Sequence, residues 1–327
     1  MKSDAFHDHL FRRLRWEEIS HAYLAHLADS ARDEDLSGLG LASAPLRSGD
    51  PSTAYSTIAG GVSGRCVRAK IVARHDCILC GVNMLQIILD SFAAADRAFF
   101  RIIDPLPDGT AVSRNDTIAT LQCPAPLLLR AERTLLNFLQ KLTGIATTTA
   151  AYAAKLADTP ARLLDTRKTT PGWRILEKYA VATGGGWNHR LGLFDRIMLK
   201  DNHLAANDAS GNGHHERKNL VDLVRHVRDE RSRLCPDLVV ECEVDSIAQI
   251  QPVLDAGADV ILLDNFPLDT LALALAQIGS HAWTEVSGGV TFENIRAIAL
   301  LHPDFISTGA LTHHAPWADI SLDWETT

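Results

Sequence analysis

The sequence predicts an α/β fold with an α+β part: an incomplete parallel α/β barrel preceded by an amino-terminal α+β sandwich domain. Three observations lead there. The second half holds six short apolar runs that end in polar or charged residues: Leu163-Leu164-Asp165, Ile197-Met198-Leu199, Val239-Val240, Val260 to Leu263, Thr284-Glu285-Val286 and Phe305-Ile306. Short apolar runs of this kind read as buried parallel strands. The stretches between them have helical length, as in Ile247 to Ala256 and Leu268 to Ile278, which gives the rhythm of βαβ units. The first half instead shows a half-buried strand pattern, with Val67, Ala69, Ile71 and Ala73 alternating against Arg68, Lys70 and Arg74 and only Val72 out of step. A full barrel of this type has eight strands, so six leave it incomplete.

In chain order, Leu10, Phe11, Leu14, Ile19, Tyr23, Leu24 and Leu27 stand near helical spacing and predict an amphipathic helix within an extension of residues 1–45. Ser, Gly, Asp and Pro make 31–63 a loop. A strand at 67–74, a helix at 81–96 and strands at 98–103 and 117–122 follow. From Pro126 to about Asp158 the pattern is helical, and Gly144 predicts a break between two helices. The domains are therefore 1–145, α+β, and 146–327, the barrel that carries most of the site. Residues 205–217 are polar and glycine-bearing and read as a solvated loop at the edge of the site. His214-His215-Glu216 within it lack the i, i+4 spacing of a helical metal site.

The formal charge of −8 and pI near 5.9 argue against a nucleic-acid or anionic-membrane partner, since bulk phosphate binding needs a basic field. Asp4, Asp8, Glu17 and Glu18 interrupt the first thirty residues, so neither a signal nor a transit peptide is expected, and stretches such as Leu271 to Ile278 are too short to span a membrane. The expected location is cytoplasmic. Six cysteines are too sparse for a disulfide scaffold, and the Cys77-Ile78-Leu79-Cys80 spacing, with apolar neighbours and no second such pair, reads as buried reduced thiols rather than a redox or zinc site.

Arg167, Lys168, His189, Arg190 and Lys200 fall at or near the active face after the first two barrel strands. Five potential cations converging in an acidic chain predict a small, multiply anionic ligand, because the arginine fork matches carboxylate or phosphate. The alternative for Arg167 and Lys168 is a pair of surface ion pairs. Gly184-Gly185-Gly186 can turn sharply and deliver His189 and Arg190 to the same pocket. Ser287-Gly288-Gly289 and Ser307-Thr308-Gly309-Ala310 end the last two strands, the position where barrels bind a phosphate through main-chain N–H groups. Glu243 and Asp264 end two adjacent strands, and carboxylates there bind sugar hydroxyls, hold magnesium or act as acid and base. Glu241 lies two residues from Glu243 and shares its face. The mouth thus has a phosphate end, a carboxylate middle and a cationic end, which suits a phosphorylated sugar reacting with an anionic acceptor.

These motifs resemble the quinolinate phosphoribosyltransferase family, also called carboxylating nicotinate-nucleotide pyrophosphorylases. The residues that carry the resemblance are Ala131 to Asn137, Gly144 to Thr147, Asp165 to Gly172, Gly184 to Arg190, Leu199 to His203, Glu241 to Asp245, Leu263 to Phe266, Ser287 to Gly289 and Ser307 to His313, in the family's order and spacing. The resemblance implies conversion of quinolinate and phosphoribosyl pyrophosphate to nicotinate mononucleotide, pyrophosphate and CO2, with Mg2+, in de novo NAD biosynthesis. It implies that Arg133, Arg167, His189, Arg190 and Lys200 bind the quinolinate carboxylates, with Lys168 near the ligands' anionic groups. Glu243 and Asp264 would hold the ribose hydroxyls and magnesium, directly or through the substrate. Ser287, Gly288, Gly289, Gly309 and His313 would cradle the 5-phosphate. Within that set Lys168, Lys200, Glu243 and Asp264 are the candidates for the chemical step. Arg133 would come from a partner subunit, so a homodimer or a dimer-based hexamer is expected. Three rivals stand beside this reading: a paralogue associated with molybdenum transport, a nicotinate phosphoribosyltransferase, which needs fewer cations for a single carboxylate, and a non-catalytic binder of phosphate ligands.

Overall fold

From His21 on, the named elements are helix α1 (His21–Ser37), strands β1 (Cys66–Ala73) and β2 (Cys77–Ile78), helix α2 (Met84–Ala94), strands β3 (Arg101–Ile103), β4 (Ala111–Val112) and β5 (Thr117–Pro124), and the long helix α3 (Ala125–Ala154). Strand and helix then alternate: β6 (Arg162–Leu164), α4 (Arg174–Thr183), β7 (Ile197–Leu199), α5 (Leu220–Leu234), β8 (Val240–Val244), α6 (Ile247–Ala256), β9 (Val260–Asp264), α7 (Leu268–Ile278), β10 (Trp283–Ser287), α8 (Ile295–Ala299) and β11 (Phe305–Ser307), before a last strand, β12 (Ile320–Trp324). This computed structural model describes residues 2, 10–43, 48–54, 65–94, 98–200 and 220–325. The loop 205–217 and its His214-His215-Glu216 lie outside the described residues.

Two compact units form, Met1–Leu14 with Thr149–His314 and Arg15–Thr148 with Ala315–Thr327. The chain changes unit inside α3, between Thr148 and Thr149, and each end belongs to the unit that the sequence order does not suggest. Leu10 is buried in the barrel core, and β12 pairs with β1.

In the second of these units an antiparallel sheet runs in the order β12-β1-β5-β3. Ala69, Ile71 and Ala73 point inward as the alternation requires. Val72, the one residue out of step, is also buried and sits where the β1–β5 register shifts, so a local irregularity turns it inward. The expected amphipathic helix is interrupted: residues 11–20 are not α-helical, and helix α1 runs from His21 into the expected loop as far as Ser37. Arg32 binds Asp29 and Asp33 within the helix and also reaches the Ser91 carbonyl on α2 at 3.1 Å. Gly38, at φ 69°, ends it.

Helix α3 is continuous through Gly144, where a break was expected. Glycine is needed there for packing: a Cβ would lie 2.0 Å from the Pro316 carbonyl oxygen. Gly144→Ala is expected to cost about 2–3 kcal/mol, the range of overpacking, even though alanine is the better helix former. A denaturant midpoint at or above the wild-type value would show that the 315–318 segment simply moves aside.

In the first unit all six expected strands form one parallel sheet, in the order β6-β11-β10-β9-β8-β7. The first and second barrel strands, β6 and β7, are the two edges. At one end Leu10, Leu164, Val239, Val260 and Phe305 make a buried cluster with Phe11, Trp187 and Trp283 against it. Phe11 stands 5.2 Å from Phe305 and 5.5 Å from Trp283, ring centroid to ring centroid. Several of these residues open their strands, so the cluster lies at the amino ends, away from the carboxyl-end loops.

No helix among the described residues is long and apolar enough to cross a membrane. All six cysteines are free, with Cys66 and Cys235 exposed and Cys77, Cys80, Cys123 and Cys242 buried. Burial pushes the Cys123 thiol up to about 11 and the Cys242 thiol up to about 12. A raised thiol pKa means less thiolate at mildly alkaline pH, hence slow alkylation. The native chain is expected to label at Cys66 and Cys235 alone, and at all six sites once unfolded. Rapid native labelling of Cys242 would contradict its burial.

Candidate active site

Every barrel strand ends on residues singled out from sequence, because a parallel sheet aligns its carboxyl ends on one side. Past β6, Arg167 has a buried Nε with no hydrogen-bond partner among the described residues. Arg190 is half-buried, and burial first and the Arg167 guanidinium second lower its pKa. Two guanidiniums thus repel each other in a partly dry setting, and a bound anion would relieve both the repulsion and the unmet donor.

The backbone around them is held by side chains of the same unit. Glu177, buried on α4, accepts the Thr170 amide at 3.1 Å and its hydroxyl at 2.7 Å, which fixes the loop after β6. Lys178, the next residue, is fully buried and donates to Asp165 Oδ1 at 2.5 Å and to the His189 carbonyl at 3.0 Å. Burial pushes the Lys178 ammonium down and the Asp165 carboxyl up. Asp165 nevertheless receives three donors, from Lys178, from Asn188 Nδ2 at 2.8 Å and from the His189 amide at 2.8 Å, and these favour the charged pair.

His189, read from sequence as a direct ligand for a carboxylate, has both ring nitrogens partnered inside the protein. Nδ1 accepts the Arg190 amide at 2.8 Å, which assigns the proton to Nε2. Nε2 faces Glu241 at 3.2 Å and Glu285 at 3.4 Å. Burial, the largest influence, acts to lower the His189 pKa, but the carboxylates of Glu285 and Glu241 outweigh it and raise it. His189, Glu241 and Glu285 offer a donor set of the kind that holds metals. Arg196, 3.2 Å from Glu241 and 3.8 Å from Glu285, already supplies the positive charge, so the group is a buried ion cluster.

At the mouth, Lys200 at the end of β7 forms an ion pair with Glu243 of β8. Glu241 and Glu243 do share a face, one deep and one near the opening, as their spacing of two predicts. Asp264 ends the neighbouring β9. Two carboxylates there supply hard oxygen donors of the type magnesium prefers, so the donor set fits that ion.

After β10, Gly288 and Gly289 have φ of 82° and 61°. A Cβ on Gly288 would stand 2.4 Å from Asn265 Oδ1, so the loops after β9 and β10 interlock only with glycine there. A Cβ on Gly309 would meet His313 Cε1 at 2.7 Å and Lys168 Cδ at 2.8 Å. His313 Nδ1 donates to the Gly309 carbonyl at 2.6 Å, and the Thr312 hydroxyl donates to the Lys168 carbonyl at 2.7 Å. The structure therefore gathers Lys168, Gly309 and His313 into one cradle.

Arg133 is exposed on α3 and belongs to the other unit. Sequence reasoning gave no role to Asp165, Lys178, Asn188, Arg196 or Glu285. For Glu285 the signal was present: it sits two residues before Ser287, on the same strand face.

Comparison with known proteins agrees with this geometry. A family model described as the quinolinate phosphoribosyl transferase N-terminal domain matches residues 52–143, and the C-terminal domain model matches 145–323. Among curated proteins, nicotinate-nucleotide pyrophosphorylase (carboxylating) of Mycobacterium leprae is 38% identical over 281 residues, covering 85% of this chain and 92% of that one. A probable enzyme of the same name from Bacillus subtilis is 38% identical over 255 residues, 78% of this chain and 82% of its own. Among solved structures, the nicotinate-nucleotide pyrophosphorylase of Francisella tularensis superimposes with a TM-score of 0.79 at 29% identity, over 96% of this chain and 100% of that one. The chain belongs to the quinolinate phosphoribosyl transferase family.

Proposed function

We propose that the protein transfers the phosphoribosyl group of phosphoribosyl pyrophosphate to quinolinate, with loss of CO2, giving nicotinate mononucleotide and pyrophosphate. The observation that carries this reading is the pair Arg167 and Arg190, the first with an unmet buried donor and the second half-buried beside the first's guanidinium. A dicarboxylate satisfies two such cations; a monocarboxylate such as nicotinate leaves one uncompensated. That favours quinolinate over the nicotinate-specific rival, and the relatives' names point the same way.

On this reading the quinolinate carboxylates lie against Arg167, Arg190 and Lys200, with His189 fixing the loop beneath them, Lys168 near the anionic groups, and Arg133 contributed by the second subunit of a homodimer. The phosphate rests on Ser287, Gly288, Gly289, Gly309 and His313. Attack of the pyridine nitrogen on the anomeric carbon displaces pyrophosphate through a cation-like sugar, whose charge Glu243 and Asp264 stabilise from fixed positions. The C2 carboxylate of the pyridinium then leaves as CO2, its electron pair is taken up by the ring, and a proton replaces it. Magnesium, held by Glu243 and Asp264 or through the substrate, would supply charge neutralisation for the departing pyrophosphate. The site of action is the cytoplasm.

The test is incubation of the protein with magnesium, phosphoribosyl pyrophosphate and either quinolinate or nicotinate, following nucleotide and CO2 together. Both products from quinolinate alone are expected. Nucleotide from nicotinate without CO2 would replace this reading by the monocarboxylate one, and tight binding without turnover would make the protein a binder.

A further inference from the structure

The loop that presents His189 and Arg190 leaves α4 through three glycines, with Gly185 at φ 91°. Such a segment is conformationally loose unless something fixes it. It also lies along the free edge of the sheet. Trp187 pairs with Leu164 of β6, donating to the Leu163 carbonyl at 2.8 Å and accepting the Asp165 amide at 3.1 Å.

The far side of this added strand is covered by residues 10–14. The Asn188 amide donates to the Arg12 carbonyl at 2.8 Å, and the Leu14 amide donates to Asn188 Oδ1 at 2.7 Å. Arg13 donates through Nε to the Gly186 carbonyl at 2.9 Å and through Nη2 to the Gly185 carbonyl at 2.7 Å, with its guanidinium 4.2 Å from the Trp187 ring. Leu10 and Phe11 anchor the segment in the apolar cluster. Asn188 joins everything: its Nδ2 donates to Asp165 Oδ2 at 2.8 Å and to the Lys178 carbonyl at 2.9 Å.

We propose that residues 10–14 are a strap that fixes the His189–Arg190 loop for the anionic acceptor, with Arg13 and Asn188 as its positioning residues; this rests on the phosphoribosyl-transfer reading above. Neither residue needs to touch a ligand. Asn188 is one residue from His189 and two from Arg190, so its bonds set where the Arg190 guanidinium is aimed. The amide is chemically required, because an aspartate there would direct a second carboxylate at Asp165. The strap bears on the acceptor end of the mouth, whereas the loops after β10 and β11 at the phosphate end make none of these bonds.

The experiment compares wild type, Arg13→Ala, Asn188→Ser and Asn188→Asp by steady-state kinetics, with each substrate varied in turn, alongside melting temperature and hydrogen exchange of the 187–190 amides. Arg13→Ala and Asn188→Ser are expected to raise KM for quinolinate about 10- to 100-fold, the scale of a misplacement near 1 Å. KM for phosphoribosyl pyrophosphate should stay within about twofold, and Asn188→Asp should be the most affected. Faster exchange at 187–190 in Arg13→Ala supports the strap. Unchanged exchange and unchanged KM for quinolinate in Arg13→Ala and Asn188→Ser overturn it, as does an equal rise in both KM values. A wild-type protein that turns over no quinolinate would refute the activity instead, and the exchange comparison would still decide on the strap.

Discussion

Lys178→Met is expected to cost about 3–5 kcal/mol, the largest stability loss foreseen for a single side chain here. The ammonium is fully buried and is one of three donors to Asp165; without it a carboxylate stays in a low-dielectric interior with only Asn188 and the His189 amide. For a unit of this size the melting temperature should fall by roughly 10 °C. The pH dependence has a definite sign. Burial already raises the folded-state pKa of Asp165, and removing Lys178 raises it further. A raised acid destabilises the fold progressively as pH climbs from the unfolded to the folded value, so the deficit at about pH 5 should be smaller than at about pH 8. The double variant Asp165→Asn/Lys178→Met should recover much of the loss. A cost under about 1 kcal/mol, measured by urea unfolding, would mean that water reaches the pair and that it is not the dry linchpin described.

Glu243→Gln is expected to lower kcat about 100-fold with KM values altered far less, the size associated with removing one preorganised charge from a transition state. Glu243 and Lys200 are both partly exposed, so losing their ion pair should move the melting temperature little. That separation of effects identifies the role: a large fall in kcat in a protein of normal stability places Glu243 against developing charge. A kcat within about twofold of wild type would remove it from the chemistry and leave it as the partner of Lys200.

The barrel strands were legible because strands covered on both sides are apolar along their whole length and end abruptly in polar residues, as Val260 to Asp264 does. The mouth was legible for the same reason, since the polar residues at those ends are the mouth. Gly144 was misread because a glycine in a helix looks the same whether it breaks the helix or admits a neighbour, and the neighbour, Pro316, is far away in sequence. Phe11 and Leu14 were read as part of one amphipathic helix because their spacing is helical, whereas they lie in a stretch outside the α-helices, between Leu10, buried in the barrel core, and α1. The ion cluster of His189, Arg196, Glu241 and Glu285 draws on three separate stretches of chain, and periodicity within one element reports which face is buried, never what meets it there.

Pairing of β12 with β1 has a consequence for synthesis. Lys70 is matched with Asp323 and Ile71 with Leu322, contacts separated by some 250 residues. A ribosome making this chain releases β1, β5 and β3 early, yet the edge of β1 that β12 will cover stays open until the last strand emerges. During that interval the nascent sheet presents unpaired backbone donors and acceptors, the feature that invites edge-to-edge association. High sequence separation also slows closure once the strand is available. Chaperone dependence and aggregation during expression should therefore track how long β1 waits, and slowing translation over the 3′ end of the message should worsen both.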